Sequence, residues 1–304
     1  MNPTAIRAIF SQIIRGFLMG AADVVPGVSG GTVALLLGIY ERLVGEVRKG
    51  ASVVSRVVRG DKEGTFAAFK SIGWVWLISL LAGVGLAIVT LASWLNTQIE
   101  VRPEIVSAVF FGLVAASILV AWRSQKERDS SRLLIMGVAA VAAFVLLGIR
   151  SGSIENPSWW LIIIAGSIAI CAMILPGISG SFILLMFGLY EHVLDAIEHR
   201  ELGTVVLFGI GALAGLLSFS TLLSWLLENH HGTVLAVLIG IMAGSLRVLW
   251  PWPSGEEGLE NVGLGAPADG QLVGCLVAAL IAGAVVLIIA EVARRGEPSA
   301  TPVS

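Results

Sequence analysis

The segment PGVSGGTVALLLGIYERLVGEV, residues 26–47, is matched further along the chain by PGISGSFILLMFGLYEHVLDAI, residues 176–197. Eight of the 22 aligned positions are identical, and they include the proline, the two glycines and the serine of a shared PG-x-SG motif. A second pair of segments, residues 105–122 and 233–250, also agrees at eight positions. Because both matches keep the same order, we predict two homologous halves, residues 1–150 and 151–304.

The composition around these segments is that of a membrane protein. Hydrophobic residues make up 56% of the chain and charged residues only 13%, too little polar surface for a soluble protein of this size. Six uncharged runs have the length needed to cross a bilayer, and a seventh, residues 233–246, is shorter. The six runs are residues 72–95, 105–122, 133–149, 158–175, 204–227 and 272–290. We therefore predict an all-α polytopic membrane fold.

The two halves are predicted to insert with opposite orientations. Each half contains five apolar segments, and an odd number of crossings turns the second copy upside down. Basic residues agree with a cytoplasmic N-terminus, because most of them then fall inside. The basic residues predicted inside are Arg7, Arg42, Arg48, Lys49, Arg56, Arg59, Lys62, Lys70, Arg123, Lys126, Arg128, Arg132, Arg294 and Arg295; only Arg102, Arg150 and Arg200 fall outside. Both termini are expected in the cytoplasm, and the loop at residues 251–270 outside.

The first PG-x-SG motif interrupts a segment that is too short to span. Pro26 and Gly27 break helical hydrogen bonding, and irregular backbone within a membrane is stable only inside protein or along a cavity. A helix is then predicted to open at the residues Ser29, Gly30, Gly31 and Thr32. Its first amides lack partners within the helix and carry partial positive charge, so they favour an anion. The motif predicts a re-entrant hairpin with an anion site.

The second half offers the same parts, namely Pro176, Gly177, Ser179, Gly180 and Ser181. Two such hairpins related by a pseudo-two-fold axis would hold one anionic group between facing helix N-termini near the membrane midplane. Small residues also allow close packing of helices, so packing is the alternative reading of each motif alone. Duplication of the whole motif favours a binding site.

Charged residues inside apolar segments are costly and therefore mark candidate functional positions. Arg15 and Arg247 are candidates for neutralising a bound phosphate, whereas Asp23, next to the break, could hold a coupling proton or hydrogen-bond the hairpin tip. Glu41 and Glu191 are duplicated partners and are candidate gating or coupling residues; the alternative is that each lies at the membrane interface.

Other classes of site find little support in the sequence. The net charge of −2 gives no indication of nucleic-acid binding. The two cysteines, Cys171 and Cys275, fall inside apolar runs, where they are expected to be buried rather than to bind metal. We expect no metal and no cofactor, and the expected partners are the bilayer, an anionic ligand and a coupling ion, either a proton or sodium.

At these motifs the chain resembles the PopT family of polyprenyl-phosphate transporters. The resemblance lies in GAADVVPGVSGGTVALLLGIYERL, residues 20–43, and LPGISGSFILLMFGLYEHVLDAI, residues 175–197, and it extends from about residue 15 to about residue 290. It implies a protein of the bacterial or archaeal cytoplasmic membrane that returns undecaprenyl phosphate from the outer to the inner leaflet. A carrier of another anion remains the alternative, because the motifs recognise a charge and not a lipid tail.

An enzyme is the other alternative. The undecaprenyl-pyrophosphate phosphatases are similar in having inverted repeats and a PG-x-SR-S signature. In this chain Gly30 and Gly180 stand at the position of that arginine, and no acidic cluster flanks either motif. Without a cation to stabilise the transferring phosphoryl group, the motif is expected to bind an anion and not to cleave it.

Overall fold

The protein is described by a computed structural model that covers residues 3–24, 29–125, 128–149, 154, 156–254 and 263–296. Within these residues the chain forms thirteen helices and one short ribbon of two antiparallel strands. The predicted all-α polytopic membrane fold is confirmed. The ribbon, β1 (Pro253–Ser254) and β2 (Gly263–Leu264), was not predicted; it lies in the loop expected outside the membrane.

The helices of the two halves follow one another in a similar order. The first half contains α1 (Pro3–Asp23), α2 (Gly30–Leu36), α3 (Tyr40–Val58), α4 (Lys62–Ser71), α5 (Trp74–Val101), α6 (Pro103–Ser124) and α7 (Ser130–Leu146). The second half contains α8 (Trp159–Ile174), α9 (Gly180–Met186), α10 (Tyr190–Glu198), α11 (Leu202–Asn229), α12 (His231–Ser245) and α13 (Gln271–Gly296). Only α4 has no counterpart, since α10 is followed directly by α11.

Four of the described helices, α5, α6, α11 and α13, are long and apolar enough to cross a membrane. Each corresponds to one of the six predicted spans. The other two predicted spans became α7 and α8, with 17 and 16 residues. At 1.5 Å per residue these helices reach about 25 Å, less than the roughly 30 Å of a hydrocarbon core. A fifth crossing is possible through α9 and α10 together, which are bent by 116°.

Helices pack in four close pairs, and two of the pairs join the halves. Helix α1 packs on α5 and α8 on α11, whereas α6 packs on α13 and α7 on α12. In each pair a glycine faces a backbone carbonyl so closely that no side chain would fit. The contacts are Gly16 to Leu80, Gly166 to Phe208, Gly112 to Ala279 and Gly240 to Met136. The last helix of each half is thus held by the other half.

The two helices of the second duplicated block, α6 and α12, run in opposite directions. The end of α6, at Ser124, and the start of α12, at His231, line one cavity. Towards the other side, Phe111 of α6 stacks edge-on against Trp250, just beyond the end of α12, with ring centroids 6.0 Å apart. Helices related by duplication therefore lie antiparallel at the centre of the molecule.

Candidate functional site

The first motif forms the start of α2, and its leading amides already have acceptors. Ser29 is the N-cap, in extended backbone conformation. The Gly30 N–H donates to Asp23 Oδ1 at 2.5 Å, and the Gly31 N–H donates to Ser29 Oγ at 3.1 Å. The Asp23 carboxylate therefore occupies the place where an anion was predicted. Pro26 and Gly27, predicted to form the break, lie outside the described residues.

The two hairpins meet through hydroxyl groups of the first half. Ser29 Oγ donates to the carbonyl of Leu175 at 3.3 Å, and Tyr40 Oη donates to the carbonyl of Ile174 at 3.1 Å. These carbonyls end α8, where no later residue of the helix can satisfy them. Since lipid offers no donors, the first half supplies them. The start of the first motif is in this way fixed against the break of the second.

The second break is shaped by a glycine. Gly177 has φ of +87°, in the left-handed region that glycine adopts without strain. A Cβ at this position would also lie 2.8 Å from the Cα of Met242 and 2.9 Å from Ser245 Oγ. Pro176 is buried beside it. Helix α12 therefore supports the second hairpin from behind.

The second motif is the more open of the two. Helix α9 begins at Gly180, and the hydroxyls of Ser179 and Ser181 hydrogen-bond to each other at 2.8 Å. Ser181 is exposed. Met173 stands where the first half has Asp23, so the second half has no matching carboxylate. No acceptor is found among the described residues for the amides of Gly180 and Ser181.

Neither motif has room for a larger residue at its second glycine. A Cβ on Gly30 would lie 2.5 Å from Asp23 Oδ2. A Cβ on Gly180 would lie 2.6 Å from Met173 Cγ and 2.7 Å from the carbonyl of Ala169. A larger residue would have to displace the Asp23 carboxylate in the first half, and the Met173 side chain and the backbone at Ala169 in the second.

Thr32 has a polar group without a partner. Its side chain is fully buried, and its hydroxyl makes no hydrogen bond to any described residue. A buried hydroxyl left unpaired costs roughly 1–3 kcal/mol, so such a group in a native structure calls for an explanation. Thr32 was predicted to bind substrate, and a missing ligand would account for this hydroxyl.

The two arginines predicted beside the site lie on α1 and just beyond the end of α12. Arg15 precedes Asp23 by eight residues of α1, about 12 Å along the helix, and forms no hydrogen bond or ion pair within the described part of the chain. Arg247 lies against the end of α7: its guanidinium stacks on the Phe144 ring at 4.7 Å and donates to the Phe144 carbonyl at 3.3 Å. A cation there suits the negative end of the α7 dipole.

The duplicated glutamates have different surroundings. Glu41 pairs with His231 at 2.7 Å, which joins α3 to the start of α12. Glu191 is exposed and has no partner among the described residues. By the second duplicated block, the first-half counterpart of His231 is Pro103, which cannot form this contact. The pair therefore joins the two halves on one side and has no counterpart between Glu191 and the start of α6.

Sequence reasoning missed two residues at this site, Tyr40 and His231. Tyr40 is 2% exposed and ties the two halves together, as described above. Its signal was present, because the tyrosine is repeated at position 190. His231 carried no such signal, since it opens a helix whose counterpart begins with proline.

Comparison with known proteins identifies relatives of this chain. A family described as VCA0040-like, undecaprenyl phosphate translocase-like, matches residues 19–263. A protein of Vibrio cholerae serotype O1 named polyprenyl-phosphate transporter is 40% identical over 242 residues, which cover 80% of this chain and 78% of the relative. A Staphylococcus aureus protein of the same name is 32% identical over 258 residues, covering 79% of this chain and 86% of the relative. No solved structure matches.

Proposed function

Because this chain belongs to the undecaprenyl phosphate translocase-like family, we propose that it carries a polyprenyl phosphate across the cytoplasmic membrane and is not an enzyme. Both relatives described above are named polyprenyl-phosphate transporters. The lipid is undecaprenyl phosphate, and it moves from the outer to the inner leaflet.

The observation that carries this proposal is the contact between the two hairpins. Ser29 of the first motif hydrogen-bonds the carbonyl that precedes Pro176 of the second. A Cβ on Gly31 would lie 3.2 Å from the carbonyl of Ile174 and 3.5 Å from the Cα of Pro176. The two motifs thus lie side by side, which supports a single phosphate site between them that is shielded from the hydrocarbon.

Asp23 controls whether the Gly30 amide is free to bind phosphate. Its carboxylate holds the Gly30 amide, so a phosphate that enters must either displace it or bind first to the open second motif. Protonation would weaken Asp23 as an acceptor and release the amide. We therefore assign Asp23 the role of coupling residue, with a proton as the coupling ion.

An inverted arrangement of the two halves fits this transport. The antiparallel course of α6 and α12 supports it, as does the excess of basic residues in the loops predicted inside. Related sites that face opposite leaflets allow one carrier to open alternately to each side. Both termini are then cytoplasmic.

The phosphatase alternative is disfavoured by the packing at the two glycines. The arginine of the phosphatase signature would have to occupy the space of Asp23 or Met173. Catalysis of phosphoryl transfer depends on such a cation. A carrier of a smaller anion stays the second candidate, because the amides and hydroxyls would recognise the charged group and not the lipid tail.

A reconstituted system tests the proposal. Purified protein in liposomes is assayed in parallel for translocation of undecaprenyl phosphate between leaflets and for phosphate release from undecaprenyl pyrophosphate. We expect translocation and no release. Phosphate release that disappears in Ser29→Ala would overturn the proposal in favour of an enzyme. Transport of inorganic phosphate without movement of the lipid would favour the small-anion carrier.

A further inference from the structure

A second cavity, away from the two motifs, lies between α1, α3 and the start of α5. Its volume is about 590 Å³. Helix α1 contributes Ala8, Ile9 and Gln12, helix α3 contributes Arg42, and the first turn of α5 contributes Trp74, Val75 and Trp76. Neither the motifs nor the proposed transport site involves any of these residues.

The cavity contains a cation that forms no ion pair within the described part of the chain, although the Glu46 carboxylate is close enough to interact with its charge. The Arg42 guanidinium stacks on the Trp76 ring at 4.6 Å, and no described carboxylate lies within ion-pairing distance of it. The nearest candidate, Glu46, instead accepts from Lys49 at 2.9 Å and from the Gly73 N–H at 2.8 Å. The guanidinium N–H groups of Arg42 are therefore available to a ligand in the cavity.

Two further polar groups, both uncharged, line the cavity beside Arg42. Trp76 is 7% exposed, yet its indole N–H has no acceptor among the described residues. The side-chain oxygen of Gln12 is likewise buried without a partner; rotation of the amide by 180° would place an N–H donor there instead. Buried polar groups without partners call for an explanation, and an anion bound in the cavity would supply one for the indole N–H.

The start of α5 faces the same space. This helix of 28 residues begins beside Gly73, which provides no side-chain cap. The amides of Val75 and Trp76 find no acceptor in the described part of the chain. The positive end of a long helix dipole, a guanidinium and an indole N–H thus converge, which is the chemistry of an anion site.

The rim of the cavity is apolar. Val75 lines the cavity and is 67% exposed, and Ile78, one turn further along α5, is 59% exposed. Exposed aliphatic surface of this kind contacts acyl or prenyl chains in a membrane protein. We propose that this cavity binds the phosphate headgroup of an anionic membrane lipid, with the lipid chains lying along α5. Two lipids share this chemistry, a bilayer phospholipid and the polyprenyl phosphate itself.

Photolabelling of the full-length protein in detergent tests this site without relying on transport. The probes are phosphatidic acid, phosphatidylglycerol and undecaprenyl phosphate, each with a photoreactive chain, and phosphatidylcholine serves as the zwitterionic reference. We expect the anionic probes to label the peptide around residues 72–79 well above phosphatidylcholine. Arg42→Gln should lower this labelling about tenfold, the loss expected for a charge-assisted hydrogen bond. Trp76→Phe, which keeps an aromatic ring under Arg42 and removes the N–H, should lower it about threefold.

Arg48→Gln is the matched control, because it removes the same charge from the same helix outside the cavity. Arg48 pairs with Glu228 instead. We expect labelling to be unchanged in Arg48→Gln and largely restored in Arg42→Lys. Labelling by undecaprenyl phosphate alone would assign the site to the carried lipid, and labelling by phosphatidylglycerol to the bilayer. Equal losses in Arg42→Gln and Arg48→Gln, or equal labelling by phosphatidylcholine, would overturn the proposal.

Discussion

At the scale of single residues, Asp23 decides how the first motif behaves. Asp23 lies at the end of α1, and its carboxylate accepts a hydrogen bond from the Gly30 N–H at the start of α2. The second half has methionine at the matching position, and its amides stay open. One carboxylate thus makes two similar motifs unequal, and a carrier that alternates between two sides can use such an inequality.

Asp23→Asn tests the role of this carboxylate. The amide oxygen can still accept from Gly30, whereas the side chain no longer titrates. We expect the variant to bind undecaprenyl phosphate at least as tightly as the wild type, and its translocation rate to fall about tenfold or more, a barrier increase of about 1.4 kcal/mol. Binding in detergent and translocation in liposomes measure the two effects.

Asp195→Asn is the control for this prediction, because Asp195 is an exposed aspartate on α10. Its translocation rate should match the wild type. If Asp23→Asn transports at the normal rate, the coupling role of Asp23 is wrong, and the carboxylate serves only to hold the hairpin.

At the scale of elements, the two hairpins depend on short helices that follow a break. Helices α2 and α9 have seven residues each, too few to be stable alone, so neighbouring helices hold them in place. Helix α8 receives hydroxyl donors from the first half, and α12 supports Gly177. The site is therefore built by packing between elements and not by either motif separately.

Replacement of Gly30 or Gly180 by leucine should impair both motifs alike. A Cβ on Gly30 would meet the Asp23 carboxylate, and a Cβ on Gly180 would meet the Met173 side chain and the Ala169 carbonyl, so either leucine would crowd the space beside a bound phosphate. We expect both variants to insert and fold but to lose lipid-phosphate binding by about tenfold or more, the equivalent of one or two charge-assisted hydrogen bonds. Gly45→Leu is the control, since nothing lies within 4 Å of a Cβ there.

Binding to solubilised protein, together with a thermal-unfolding midpoint to verify folding, measures this effect. Normal transport by Gly180→Leu beside an inactive Gly30→Leu would assign the site to the first half alone. The shared site between the hairpins would then have to be abandoned.

The contact between α3 and α5 gives a prediction for stability. Burial alone would raise the pKa of Glu46, but hydrogen bonds from the Gly73 N–H and Lys49, with the charges of Lys49 and Arg42 nearby, hold this pKa below its ordinary value of 4.5. A carboxyl with a lowered pKa stabilises the fold above its unfolded-state pKa, and this contribution is lost as the pH falls through the folded-state pKa.

Glu46→Gln should accordingly lower the free energy of unfolding by about 1 kcal/mol at pH 7. The difference from the wild type should shrink as the pH falls below 4.5, where the wild-type carboxyl also becomes neutral. Thermal unfolding at a series of pH values measures it, with the exposed Glu63→Gln as a control. A difference that persists unchanged at low pH would show that the charge of Glu46 is not the cause.

At the scale of the whole molecule, the halves are interlocked. Helix α13 packs on α6 and α7 packs on α12, so the final helix of each half is held by the other half. Glycines such as Gly112 and Gly240 let the backbones approach closely, as is common between helices in membranes. Neither half is therefore expected to fold stably without the other.

Cysteine labelling tests the orientation of this assembly. In a variant with Cys171 and Cys275 replaced by serine, single cysteines are placed at Ser254, in β1, and Ser55, in α3. An impermeant thiol reagent added to intact cells should label position 254 strongly and leave position 55 unlabelled, because the two positions are predicted on opposite sides. Labelling of the cysteine at position 55 after permeabilisation is the control. The reverse pattern in intact cells would contradict the inverted-repeat prediction.

The membrane class, most of the long spans and the two motifs can be read from the order of the amino acids alone. Length and hydrophobicity are local properties, and a duplicated PG-x-SG motif can be recognised without a structure. Helices α5, α6, α11 and α13 follow directly from this. The family resemblance, confirmed by the match over residues 19–263, was also carried by these motifs.

Which groups meet across separate helices became known from the three-dimensional arrangement. It brings Asp23 to Gly30 and Ser29 to Leu175, places Arg247 at the end of α7 and leaves the Thr32 hydroxyl without a partner among the described residues. It also shows Arg42 and the uncapped start of α5 around one cavity. These contacts join residues on separate elements, and their formation depends on the packing of whole helices, which no local pattern in the sequence specifies.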